Sequence, residues 1–192
     1  MEPFEYVVVL TSLIIGLGIA QILTGVADMV AQYRKIKISA PHIIYVIVIF
    51  FLHIQEWWIN YEYAKHIDVW SLQAVFGILV YPILLFIQAR LLFPTGLRSR
   101  ETDMVEYYED QWRWLFSIGA WTVIISIWHN VLIQKIPLIE QIPQFGLLAA
   151  YMSYVIFNVK NKVAHIVFLS LILVALLVYI ATDTQVLTME MK

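Results

Sequence analysis

No cysteine occurs in the sequence, and that absence excludes disulfides, thiolate metal sites, iron–sulfur clusters and dithiol redox chemistry. Charge is scarce as well. Asp, Glu, Lys and Arg make up 14% of the chain, against about 25% in an ordinary soluble domain, and no basic block offers a footprint for nucleic acid. Catalytic signatures are missing too. Gly16-Leu17-Gly18 is not a dinucleotide fingerprint, because no strand precedes it and the third glycine is misplaced. No His-Glu-x-x-His zinc motif, no paired Glu-x-x-His of a di-iron site and no nucleophile–base pair for acyl transfer is readable. The residues thus nominate no catalytic group and no metal site. Aligning the first half of the chain on the second gives no convincing matches either, so an internal duplication of the kind found in many transporters has no support.

Apolar surface is what the chain has in excess. Of its 192 residues 61% are hydrophobic, and its mean hydropathy is +0.79; a soluble fold of this length has no means of hiding that much apolar area. The fold class expected is an all-α polytopic transmembrane bundle. Six spans are read, at about 6–30, 42–63, 70–93, 112–133, 143–159 and 163–182. Six helices of about 20 residues use roughly 120 and leave about 70 for loops and tails, so 1–192 is expected to be one membrane domain with no soluble appendage. The first run is too long for a signal-peptide core and is preceded by Glu2 and Glu5 rather than Lys or Arg, so it is expected to stay in the bilayer. The fifth run is the shortest.

Loop charges set an orientation. With the amino terminus outside, the inner side collects Arg34, Lys35, Lys37, Arg90, Arg98, Arg100, Arg113, Lys160 and Lys162, leaving Lys65, Lys135 and Lys192 outside. That asymmetry follows the positive-inside rule and predicts both termini outside. It also favours a fifth span that crosses, since otherwise Lys160 and Lys162 change sides. Tyr107, Tyr108, Trp112 and Trp114 at one boundary and Tyr61, Tyr63 and Trp70 at the other have the composition of interfacial aromatic belts.

Polar groups inside the spans are the candidates for function. An ionisable residue near mid-membrane costs about 2.5–3.5 kcal/mol on insertion scales, which the apolar run Ile43–Leu52 offsets for Glu56. The carboxylate still needs a partner. His53, Glu56 and Asn60 recur at i, i+3 and i+7, and Thr122, Ser126 and His129 at i, i+4 and i+7 with Asn130 beside them. Each set shares one helical face, and at 1.5 Å per residue Glu56 and His129 fall at a similar depth of roughly 20 Å. The binding site expected is a hydrated outer pocket of His53, Glu56, Asn60, Thr122, Ser126, His129 and Asn130, with Trp57 and Trp58 as walls for a cationic solute. The alternative is that these groups only bond across helices and hold the bundle together.

A second stripe, Thr11, Gly18, Gln21, Gly25 and Asp28 on the first span, is expected to pack helices, because small residues let backbones approach. Trp114, Trp121 and Trp128 repeat every seven residues and share a face, in the core or toward lipid. Tyr81-Pro82 marks a kink in the third span. Histidines on different spans also permit paired haem ligands, from His42, His53, His129 and His165. That makes a membrane b-type cytochrome a third reading; otherwise no cofactor is expected.

Phe4-Glu5-Tyr6, Ser12 to Ile19, Leu23-Thr24-Gly25 and His53-Ile54-Gln55-Glu56-Trp57-Trp58 resemble a family of small, uncharacterised bacterial multi-spanning inner-membrane proteins. The resemblance covers the first two spans and implies a bacterial inner-membrane, multi-pass setting; it carries no function. From the residues themselves, the leading expectation is a small-solute or ion transporter or channel subunit acting as a homo-oligomer. A structural or signalling protein that binds other membrane proteins is the alternative, and lipid is the one partner common to all these readings.

Overall fold

The computed structural model describes residues 3–67, 70–95 and 103–182, without the side chains of 3–4, 61–62 and 64–66. Among the described residues the fold is all-α. Its helices are α1 (Pro3–Ala31), α2 (Ala40–His66), α3 (Leu72–Leu91), α4 (Met104–Leu132), α5 (Ile142–Ile156) and α6 (Lys162–Thr182), with one 3-10 turn, Leu138–Gln141, leading into α5. Every helix except α5 is long and apolar enough to cross a bilayer. By length and hydropathy the chain is a multi-pass membrane protein.

Helix α5 has 15 residues, about 22 Å of helix, which is short of a hydrocarbon core of about 30 Å. Its two ends are nevertheless tied to opposite ends of the bundle. Asn130, near the close of α4, donates from Nδ2 to Gln141 Oε1 at 2.9 Å, whereas Arg113, toward the start of α4, lies 3.5 Å from Asn158 Oδ1. Asn158, with φ of 50°, takes the left-handed position that closes the helix, and the Val159 amide bonds back to the Tyr154 carbonyl. Lys160 and Lys162 therefore sit at the same end as Arg34, Lys35, Lys37 and Arg90, hereafter the basic end. Arg98, Arg100 and Lys192 lie outside the described residues, as do the side chains of Tyr61 and Lys65.

Helix α4 begins at Met104 rather than near Trp112. The acidic lead-in is helical because Asp103 caps it, its Oδ1 accepting from the Val105 and Glu106 amides. Those first turns are amphipathic, with Met104 and Tyr108 buried and Glu106, Glu109 and Asp110 exposed. The same Asp103 carboxylate accepts from Lys37 Nζ at 2.7 Å, and the Met104 amide bonds the Lys37 carbonyl. The α1–α2 loop is thereby fastened to the start of α4. Pro82 lies inside α3, which runs on to Leu91.

Packing is organised around α2, which touches α1, α3, α4 and α6. On α1 the buried residues are Val7, Thr11, Ile15, Gly18, Ile22, Gly25 and Met29, a seam at three- and four-residue intervals. A methyl group at Gly18 would overlap the His53 imidazole, and one at Gly25 the Phe93 ring; there the small stripe is a site of close approach. Gln21 and Asp28 flank the seam, half-buried. Between α4, α5 and α6 the core is aromatic, with Phe116 in ring contact with Tyr45, Trp112, Tyr151, Tyr154 and Phe168. Trp114 and Trp121 are 66% and 60% exposed. Those two face away from the core, whereas Trp128, 39% exposed, lays its ring against Gly77 of α3.

Candidate functional site

Three adjoining cavities lie around the far halves of α2 and α4. The smallest, about 30 Å³, is lined by Gln55, Glu56, Ile59, Tyr63, Tyr81, Ser126, His129, Asn130 and Gln134. A second, about 160 Å³, shares Gln55, Tyr81 and Ser126 and adds Thr122, Gln88 and Gln144. The third is a crevice of about 630 Å³ between α2, α4, α5 and α6, sharing Gln55, Ile59, Ser126, Asn130 and Gln134 with the first. Leu147, Phe168, Leu171, Ile172 and Leu176 make its remaining walls mostly apolar. Glu56 is 3% exposed, and its Oε1 has no hydrogen-bond partner. A buried carboxyl oxygen without a partner forfeits its solvation, at a cost of roughly 1–3 kcal/mol or more.

His129 stands beside Glu56 with both ring nitrogens engaged. Nε2 lies 3.0 Å from the Gly77 carbonyl and Nδ1 3.0 Å from the Tyr63 hydroxyl. A carbonyl only accepts, so Nε2 carries a proton, and Nδ1 shares a hydrogen bond with the Tyr63 hydroxyl. The imidazole thereby joins α2, α3 and α4. His165 repeats the pattern at the basic end, donating from Nε2 to the Val159 carbonyl at 2.7 Å while Nδ1 lies 2.9 Å from the Tyr108 hydroxyl.

Of the sequence-predicted residues, Glu56, Ser126, His129 and Asn130 line one cavity, and Thr122 lines the next. His53 lies elsewhere. Its Nδ1 donates to the Ile49 carbonyl at 2.7 Å, its ring covers Gly18 of α1, and its Nε2 is buried without a partner. Asn60 is buried but spends its amide on the Glu56 carbonyl at 2.9 Å. Trp57 is 52% exposed and lines none of the three cavities. Of the four histidines considered as haem ligands, His42 and His53 each keep one buried ring nitrogen without a hydrogen-bond partner. His42 gives Nε2 to the Leu92 carbonyl at 2.7 Å, His53 packs on a neighbouring helix, and His129 and His165 have no nitrogen to spare. Among the described residues no group of three His, Asp or Glu could hold a metal.

A transverse network escaped the sequence reading. The Tyr45 hydroxyl donates to Gln88 Oε1 at 2.8 Å, Gln88 Nε2 donates to Thr122 Oγ1 at 2.8 Å, and Thr122 bonds the Ile118 carbonyl at 2.9 Å. Tyrosine on α2 carries no polar signal until its hydroxyl finds a partner; Gln88 inside an apolar span and Thr122 were the marks available. Compared with protein-family models, with curated proteins and with solved structures, the chain has no significant match. The likeness of the first two spans to a bacterial family therefore assigns no family.

Proposed function

We propose that this protein is a transporter or channel subunit, seated in a bacterial inner membrane, that takes a small solute bearing a cationic or hydrogen-bond-donating group. The single observation that carries the reading is the unpartnered, buried Oε1 of Glu56 in a polar cavity that shares lining residues with a crevice large enough for a small molecule. Intramembrane carboxylates that face a cavity mark solute and ion paths far more often than lipid-facing structure. Here Glu56 is the acceptor at the closed end. Ser126, Asn130 and Gln134 offer further polar contacts, and the apolar walls of α5 and α6 suit the hydrocarbon part of an amphiphilic amine. His129, held between Tyr63 and Gly77, forms a fixed wall of the cavity.

Uptake of a panel of labelled alkylamines and ammonium ions into proteoliposomes tests this. Wild-type protein is expected to carry at least one of them, and Glu56→Gln, which keeps shape but removes the ionisable group, to abolish uptake with folding intact. Uptake at the wild-type level in Glu56→Gln, or no uptake above empty liposomes by the wild type, defeats the reading.

A further inference from the structure

The basic end holds a cleft of about 280 Å³, separate from the cavities around Glu56, lined by Ser39 and Pro41 at the start of α2, Val105, Tyr108, Glu109, Asp110 and Trp112 on α4, and Lys160, Lys162 and His165 around the start of α6. Its charges come in two pairs on different walls. The carboxylates belong to α4 and the ammonium groups to the α5–α6 turn. Among the described residues, no ion pair joins any two of these four charges. Ser39 is fully buried, and its Oγ, which caps no amide of α2, has no hydrogen-bond partner. Tyr108 and His165 on the cleft wall already satisfy each other.

We propose that this cleft binds a zwitterion made of a phosphate and an ammonium, the chemistry of an aminophospholipid headgroup. The phosphate lies against Lys160 and Lys162 and accepts from the Ser39 hydroxyl; the ammonium lies against Glu109 and Asp110. A simple anion would meet two carboxylates, and a simple cation two lysines. Each is repelled by half the site. Location favours the lipid as the source, because basic residues between helices at a membrane face collect headgroups.

The test is native mass spectrometry of the full chain, released from detergent micelles doped with equal amounts of phosphatidylethanolamine and phosphatidylglycerol. Wild-type protein is expected to retain phosphatidylethanolamine preferentially. Lys160→Ala with Lys162→Ala should lower retention of both lipids, by about fivefold per charge. Glu109→Gln with Asp110→Asn, which leaves the lysines alone in the cleft, should reverse the preference toward phosphatidylglycerol. All four side chains are exposed, so neither pair of changes opens the core. Soluble phosphoethanolamine, added as competitor, separates the sources. Displacement of the lipid identifies a headgroup read from solution, and persistence identifies a lipid held also by its chains; both outcomes support the shared chemistry. Equal retention of the two lipids by wild type, or a preference untouched by the Glu109/Asp110 change, overturns the proposal.

Discussion

Glycines sixteen and eighteen look alike in the sequence and are opposites in the fold. Gly18 faces α2, where a methyl group would overlap the His53 ring, whereas Gly16 has open space around it. Gly18→Ala is expected to lower stability by about 1–3 kcal/mol through overpacking, and Gly16→Ala to leave it unchanged or slightly raised by helix propensity. Thermal unfolding of the two variants in detergent decides it; equal melting temperatures would mean the seam between α1 and α2 is looser than described. The same scale explains why the polar face of α2 was only partly legible. His53 and Glu56 are three residues apart, about 60° around the helix, and that angle suffices to send one toward α1 and the other toward α4. Periodicity places residues on a shared face, but a face of that width meets two neighbours when the helix is central.

At the scale of elements, the start of α4 depends on one carboxylate with two tasks. Lys37, bonded at 2.7 Å, holds the Asp103 carboxyl below its ordinary range, with help from the Val105 and Glu106 amides, and Asp103 in turn raises Lys37. A carboxyl whose folded value is depressed stabilises the fold above its unfolded value, and the contribution fades as pH falls through the folded one. For Lys37 the sign is reversed, and its share fades as pH rises through the elevated folded value. The tie between the α1–α2 loop and α4 is thus expected to hold across the neutral range and to loosen in acid and in strong alkali. Asp103→Asn, which keeps a capping oxygen but loses the ion pair, should be less stable than wild type, and Asp103→Ala, which loses both, less stable still. Hydrogen exchange of the first turn of α4 reads the order directly; identical protection in all three proteins would show that neither task matters. The early start of α4 was hidden for the same reason, since acidic turns outside the hydrocarbon read as loop when apolarity is the only guide.

For the molecule as a whole, the open question of topology is whether α5, too short on its own to span a bilayer, completes a crossing. The contacts of its two ends with opposite ends of α4 predict that it does. Because the chain has no cysteine, single cysteines report cleanly. Lys35→Cys and Lys160→Cys should react with an impermeant thiol reagent from one side of the membrane, and Lys135→Cys from the other. Labelling of positions 35 and 160 from opposite sides would reduce the chain to an odd number of crossings.

Composition and the order of apolar runs were enough to determine the membrane class, the helical state of each run and the alternation of basic loops, because the transfer energy of a segment depends mainly on its own residues. Tertiary structure alone decided that α2 is central, that Trp114 and Trp121 face away from the core, and that Glu56 meets Tyr63 and His129 in a common cavity while His53 does not line it. Those outcomes depend on which neighbour occupies each side of a helix. A side chain's partners are set by helices distant in sequence, and no local period encodes them.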